Sequence, residues 1–160
     1  SREAFVEFHV RSARLTDVDP AMRILMRDAE SPDERRADTD RLRSLLFLPA
    51  VTVVVAEAER QVIGIGVLSI RPTVRTAPFV GVIDELGLEG SLGRAGRSAR
   101  ADTPGRSEVG RSILEHLISS ARNKGCARVE VTDPLAAAEP ALLKGAGFER
   151  RGALLSRAIG

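Results

Sequence analysis

The sequence predicts a single α/β domain, a mixed sheet with helices on both of its faces. Three observations carry that expectation. Apolar runs of period two and apolar runs of helical period are interleaved along the chain rather than segregated. The 160 residues are 43% hydrophobic and 29% charged, a globular composition at a length suited to one domain. A Gly/Arg-rich loop at about 89–107 separates three consecutive strands from the strongest amphipathic helix of the chain.

The elements follow in order. Residues 1–7 read as a lead-in. Phe8, Val10 and Ala13 alternate with polar neighbours and mark the first strand. Thr16 and Asp17 supply an N-cap, and Asp19-Pro20 a first turn, for a helix over about 18–29 carrying Met22, Leu25, Met26 and Ala29 at helical spacing. Ser31-Pro32 breaks it. A second helix over about 34–47 presents Leu42, Leu45 and Leu46 on one face and ends before Pro49. Residues 51–58 and 62–70 are β-branched strands joined by the turn Glu59-Arg60. Gly64 and Gly66 on the second of them mark a bulge or a close approach. After a connection over 72–78, residues 79–88 form a third long strand. Beyond the loop, a helix over about 108–124 has Ile113, Leu114, Leu117, Ile118 and Ala121 as its apolar stripe and Gly125 as its stop. A short strand at 128–132, a short helix at 136–146 with Pro140 in its first turn, and a last strand at 153–159 complete the order β-α-α-β-β-β-α-β-α-β.

Composition excludes several classes of function. Cys126 is the lone cysteine, and His9 and His116 are the only histidines. No disulfide framework and no Cys- or His-built metal site is expected. No apolar stretch of ~18 residues is present, so no membrane span is expected. The N-terminal residues lack a basic-then-apolar run, which makes a reducing cytoplasm the expected compartment. The sequence pI of about 9.3 overstates the charge. Lys plus Arg is 24 against 22 acidic residues, a net of +2, and every cation except Lys124 and Lys144 is arginine. With no Trp and no Tyr, stacking platforms for single-stranded nucleic acid are scarce. A nucleic-acid partner is disfavoured, and no tyrosine serves as a catalytic acid.

A strand leading through a Gly/Arg-rich loop into a helix is a natural anion site, because the helix start offers free N–H groups and a partial positive charge. Ser107 or a neighbour is placed to cap the helix. Val109-Gly110-Arg111-Ser112 brings together a glycine for close approach, a cation and a hydroxyl. Neither GxxxxGK[ST] nor GxGxxG is present. The plainer reading is a helix start with a small residue for packing.

The stretch VGVIDELGLE…GRSEVGRSILEHLISSARNKGCARVEVTDP…ALLKGAGFERRG, with the element order, resembles the GCN5-related N-acetyltransferases over nearly the whole chain. The family's strand I-x-x-L-x-V is matched from Ile83 to Leu88. The end of its R-G-x-G-I-G loop is matched by Val109-Gly110, and its paired leucines by Ile113-Leu114. The segment LLKGAGF, Leu142 to Phe148, resembles its F-Y-x-K-x-G-F. The resemblance implies an acyl-CoA fold that takes acetyl-CoA as acyl donor and transfers the acyl group directly to a primary amine, of a small molecule or a peptide, in a ternary complex. Arg106, Ser107, Val109, Gly110, Arg111 and Ser112 would grip the pyrophosphate. The main chain of Leu86, Gly87 and Leu88 would pair with the pantetheine arm, with Gly87 admitting the thioester carbonyl to a backbone N–H. Homodimers are frequent in the family, through its C-terminal strands.

The sequence departs from that pattern. Gly105 stands where the family favours Arg or Gln, with Arg106 one residue away as a substitute. Glu108 stands where it favours Gly, Leu143 where it often has the tyrosine that protonates the departing thiolate, and Asp133 where it often has Asn. Lacking that acid slows transfer without forbidding it, since thiols ionise near pH ~8.5.

An amine nucleophile must lose a proton, and Asp84 and Glu85 are the candidate bases, with Glu89 as a third. Adjacent strand residues point to opposite faces, so only one of the pair faces the acceptor. Asp84 shares a face with Val82 and Leu86, and Glu85 with Ile83 and Gly87. A bulge at Gly87 would re-aim them. Glu85 is preferred slightly, and solvated strand-edge charges are the competing reading. By the resemblance, the region of the first two helices lines the acceptor pocket. The charges from Glu30 to Arg43 read most simply as a solvated helix face. Arg94, Arg97, Arg100 and Arg106 suit a 3′-phosphate of CoA, a nucleic acid, or a solvated loop. His116, off the helix stripe, reads as a surface residue, and Cys126 as a small packed residue rather than a nucleophile. Three other functions compete with the enzyme: a non-catalytic acyl-CoA-binding module, a nucleic-acid-associated protein, and an assembly scaffold. The acceptor, the acyl chain and the oligomeric state stay open at this point.

Overall fold

The computed structural model describes residues 7–26, 31–75, 78–90 and 104–160. Their elements are β1 (His9–Ser12), a 3-10 turn (Leu15–Asp17), α1 (Val18–Leu25), α2 (Pro32–Leu45), β2 (Val51–Ala58), β3 (Gln61–Pro72), β4 (Phe79–Leu88), α3 (Pro104–Asn123), β5 (Cys126–Val131), α4 (Leu135–Ala138) and α5 (Pro140–Gly145). One sheet runs in the order β1-β2-β3-β4-β5. The first four strands are mutually antiparallel, and β5 joins β4 in parallel. A parallel neighbour requires a crossover, which contains α3.

Both faces of the sheet are covered, which is why β2 and β3 read as nearly continuous apolar runs. Val53, Val55, Ile65 and Val67 pack with Val18, Ala21 and Met22 of α1 and Leu42 of α2. Their strand neighbours Val54, Ala56 and Leu68, with Ile83, pack with Ile113, Leu114, Leu117 and Ala121 of α3.

Glycines let α3 lie close to the sheet. A Cβ on Gly66 would fall 2.5 Å from Ile113 Cγ2 and 2.9 Å from Leu117 Cδ1. Both side chains are fully buried and have nowhere to retreat. Gly66→Ala is therefore expected to cost about 1–3 kcal/mol through overpacking. A lowered Tm checks this; an unchanged Tm would show that α3 shifts freely.

Several expected boundaries move. The first helix ends at Leu25 rather than near 29, because Met26 turns extended (ψ 135°); residues 27–29 lie outside the described residues. Ser31-Pro32 opens α2 rather than breaking α1. Ser31 Oγ accepts from Glu34 N–H while the Glu34 carboxylate accepts from Ser31 N–H, a capping box with Pro32 at the first helical position. The helix of 136–146 is two helices, α4 and α5, separated at Glu139. Proline disfavours helical geometry in the residue before it, and Glu139 adopts φ −129°, ψ 51° ahead of Pro140. Glu59-Arg60 does make the β2–β3 turn, with both residues at positive φ (50° and 65°). That is the hand that two-residue hairpin turns favour, usually supplied by Asn-Gly.

The last strand is not formed. Residues 148–160 have no regular structure, and Leu154, Leu155 and Ile159 are 62%, 92% and 95% exposed. Leu154 and Leu155 are adjacent and do not alternate. A strand is stabilised by its pairing and packing partners rather than by propensity alone, and the ladder of β5 is made with β4.

The principal correction concerns α3. It begins at Pro104, about one turn before the expected start. Arg106 and Ser107 therefore lie inside its first turn, not in the loop, and Ser107 is not its cap. Of the expected loop, residues 91–103 lie outside the described residues, and with them Arg94, Arg97 and Arg100. Gly125, at φ +83°, ends α3 as expected.

Candidate active site

The middle of β4 holds a bulge. Val67 pairs with Glu85 and Leu68 with Ile83, so Asp84 is the extra residue. The expected bulge at Gly87 is therefore displaced to Asp84. Its consequence is parity. Ile83 and Leu86 both enter the core against α3. Glu85 sits opposite Val67, which packs against α1. Asp84 accepts a hydrogen bond from Ser69 Oγ at 2.5 Å, and Ser69 lies two residues beyond Val67 on the same side of β3. The bulge thus puts both carboxylates on the face of α1 and α2. The expectation that only one of them faces that side is overturned, as are the assignments of Leu86 to the face of Asp84 and of Ile83 to the face of Glu85. Both carboxylates are exposed. Glu89, just past the end of β4, is also exposed.

On the same face, across β5, Glu130 accepts from Arg128 Nε at 2.9 Å and from Arg71 Nη2 at 3.1 Å. Arg128 foremost, then Arg71, holds the Glu130 carboxyl below its ordinary range.

Among the described residues, no strand pairs with the β5-side main chain of β4 beyond the bulge. Its ladder with β5 covers Phe79 to Ile83 and stops where β5 ends at Val131. Glu89 N–H donates to Ile63 O at 2.9 Å. Main-chain groups alternate in direction along a strand. Leu86 and Leu88 therefore direct N–H and C=O away from β3, to the edge where the β5 ladder has ended. Gly87 directs its own groups to β3, so it is not aligned as a donor to that edge. Its lack of a side chain is explained by α1, since a Cβ there would meet Leu25 Cδ2 at 2.9 Å and Ile24 Cγ2 at 3.0 Å. Leu88, Val109, Leu135 and Leu143 pack in one cluster beside this edge.

At the start of α3, an α-helix leaves its first N–H groups unbonded within the helix. With the start at Pro104, these include Gly105 and Arg106. The amides of Val109, Gly110, Arg111 and Ser112 fall within the helical ladder instead. Gly110 is buried, and a Cβ on it would meet Leu142 Cδ2 at 2.6 Å and Leu88 Cδ1 at 3.0 Å, so packing explains that glycine. Ser107, Glu108 and Arg111 are exposed and Ser112 is half-buried. Arg106 Nη2 donates to Glu139 Oε2 at 2.5 Å, with the two side chains only 12% and 13% exposed. Arg106 Nε is buried and, among the described residues, without a partner.

Leu143, which the resemblance aligns with a tyrosine, is buried in the core. Asp133 is exposed. Cys126 pairs with Phe79 at the start of β4, away from the mid-strand carboxylates, and burial pushes its thiol pKa up. This is the reverse of what activates a nucleophilic cysteine. His116 is exposed, as expected. Among the described residues no helix is long and apolar enough to cross a membrane, and no group of three or more His, Cys, Asp or Glu is placed to hold a metal ion. The sequence reading missed Glu139 altogether. It also missed the grouping of Arg11 with Asp17 and Glu57 (Arg11 Nη1–Asp17 Oδ2 and Arg11 Nε–Glu57 Oε2, each 2.7 Å). Neither carries a motif.

No protein-family model and no curated protein matches the sequence. Solved structures do match. A glucosamine-6-phosphate N-acetyltransferase from Arabidopsis thaliana gives a TM-score of 0.68 at 15% identity, over 96% of this chain and 99% of that one. An aminoglycoside 6′-N-acetyltransferase from Acinetobacter haemolyticus gives 0.69 at 16%, over 95% and 99%. An aminoglycoside N-acetyltransferase in complex with CoA gives 0.68 at 17%, over 96% and 95%. At such identities the likeness is one of fold. The five-stranded mixed sheet, the two helical layers and these superpositions together make the chain an example of the acyl-CoA N-acyltransferase fold of the GCN5-related N-acetyltransferases.

Proposed function

We propose that the protein is an N-acetyltransferase that moves an acyl group from acetyl-CoA to a primary amine by direct attack in a ternary complex. The observation that carries this reading is the β4 bulge at the point where β4 and β5 part. One side of it offers main chain at Leu86 and Leu88 that no described strand pairs with, and the α1 face offers Asp84 and Glu85. The residues present fit an acyl-CoA. The open edge suits an amide-bearing arm. The amides of Gly105 and Arg106, which the helix itself leaves without a partner, and the buried Nε of Arg106, without a partner among the described residues, suit phosphate oxygens.

Bound there, acetyl-CoA supplies the acyl group and a thiolate leaving group. Leu86 and Leu88 orient the arm along the edge by main-chain hydrogen bonds. Asp84 and Glu85 attract the ammonium form of the acceptor and take its proton, directly or through water. Proximity and orientation supply much of the remaining acceleration. The solved relatives named for glucosamine-6-phosphate and for aminoglycosides support a small polar amine as acceptor. With Leu143 buried at the usual tyrosine position, a non-catalytic acyl-CoA-binding module is the second reading.

Calorimetric titration tests the donor. Acetyl-CoA is expected to bind with micromolar affinity and ATP far more weakly. An absence of binding at millimolar acetyl-CoA would overturn both readings. A subsequent screen of amine acceptors separates enzyme from binding module by turnover.

A further inference from the structure

We infer that Glu139 is an internal competitor for the acyl-CoA phosphates, holding Arg106 until a ligand phosphate takes its place. The inference rests on the CoA reading above. Most ion pairs among the described residues lie on the surface, with side chains such as Arg41 and Asp40 71% and 65% exposed. The pair of Arg106 with Glu139, like that of Arg11 with Asp17, is different, since both side chains are nearly buried. It joins the first turn of α3, whose leading amides have no partner within the helix, to the break between α4 and α5. Pro140 fixes the backbone of Glu139 at that break.

The pairing is incomplete. A guanidinium carries five N–H donors in a planar fork. Glu139 Oε2 accepts from Nη2, while Nε stays buried and, among the described residues, without a partner. A phosphate offers several charged oxygens and accepts from such a fork in bidentate fashion. Exchanging Glu139 for phosphate therefore adds hydrogen bonds at Arg106 and brings an anion to the N-terminus of α3, where it is favoured. Until then Glu139 keeps a nearly buried cation from standing alone, which would be costly. The apparent affinity for CoA is lowered by the fraction of molecules in which Arg106 is held.

The test is calorimetry of CoA binding to wild type, Glu139→Gln and Arg106→Gln. Glu139→Gln is expected to bind CoA about tenfold more tightly, as when the competent fraction rises from ~0.1 to near one, and Arg106→Gln more weakly. Without CoA, Glu139→Gln should melt lower than wild type, and CoA should raise its Tm by more. Wild-type binding with Glu139→Gln equal or weaker would overturn the inference and leave the CoA reading intact. A wild type that binds no CoA would overturn both. If Glu139→Gln does not fold, the wild type still decides. The Arg106 Nε–H resonance, identified by its loss in Arg106→Lys, must shift when CoA saturates the protein, and an unmoved resonance overturns the inference.

Discussion

Asp17→Ala is expected to lower stability by about 3 kcal/mol, roughly a hundredfold in the folding equilibrium. Asp17 is buried. It accepts from Arg11 Nη1 at 2.7 Å, from Arg11 Nη2 at 3.0 Å and from Arg14 N–H at 2.7 Å. The same Arg11 donates through Nε to Glu57 Oε2. One guanidinium thus ties β1 to the turn that starts α1 and to the far end of β2. Alanine leaves Arg11 nearly buried with one carboxylate and leaves the Arg14 amide unsatisfied, and both penalties act together. Urea unfolding gives the magnitude, and a loss below ~1 kcal/mol would mean that the pair behaves like a surface ion pair.

The same contact fixes a pH dependence. Hydrogen bonds from Arg11, helped by the Arg14 amide, hold the Asp17 carboxyl below its ordinary range against the opposing push of burial. A carboxyl depressed in the folded state stabilises the fold above its unfolded pKa of ~3.9. That contribution is lost as pH falls from there through the folded value. Arg11 stays charged throughout, because its partners raise its pKa further. Asp17→Asn should therefore flatten the acid limb of stability below about pH 4. An acid limb identical to wild type would assign the loss to other carboxylates.

The fold was legible in the sequence wherever a pattern is periodic and long. The valines of β2 announce a strand, the glycines of β3 a close approach and the stripe from Ile113 to Ala121 a buried helix face, and each is found in the structure except that Ile118 lies outside the packed cluster. Legibility fails where structure depends on a partner. Residues 153–159 look like a strand only if something pairs with them. The bulge at Asp84 leaves no mark in composition, because it is defined by the register against β3. The Arg106–Glu139 pair joins residues 33 apart, and nothing at either position announces it. The start of α3 was misjudged by one turn because Gly105 and Ser107 read as loop residues. In the structure they are helical, with Pro104 at the first position, where its missing N–H does no harm.

The carboxylate pair carries the larger prediction for activity. Asp84→Asn combined with Glu85→Gln is expected to lower kcat by about 10²–10⁴ with little change in CoA affinity. Each single variant should lose less, because the bulge leaves a second carboxylate on the same face. That distinguishes this site from an ordinary strand, where the two residues would diverge and one substitution would have the full effect. Deleting Asp84 removes the extra residue and tests the same point. The strand straightens, one carboxylate remains on that face, and the rate should fall to that of the better single variant. On the proposed mechanism the pair matters more, because Leu143, buried in the core, provides no hydroxyl to protonate the leaving group. A thiolate leaves tolerably without an acid, since thiols ionise near pH ~8.5, whereas an ammonium nucleophile cannot attack until its proton is taken. Pre-steady-state turnover by the double variant at wild-type speed would return Asp84 and Glu85 to the solvated edge of β4 and leave proton removal to water.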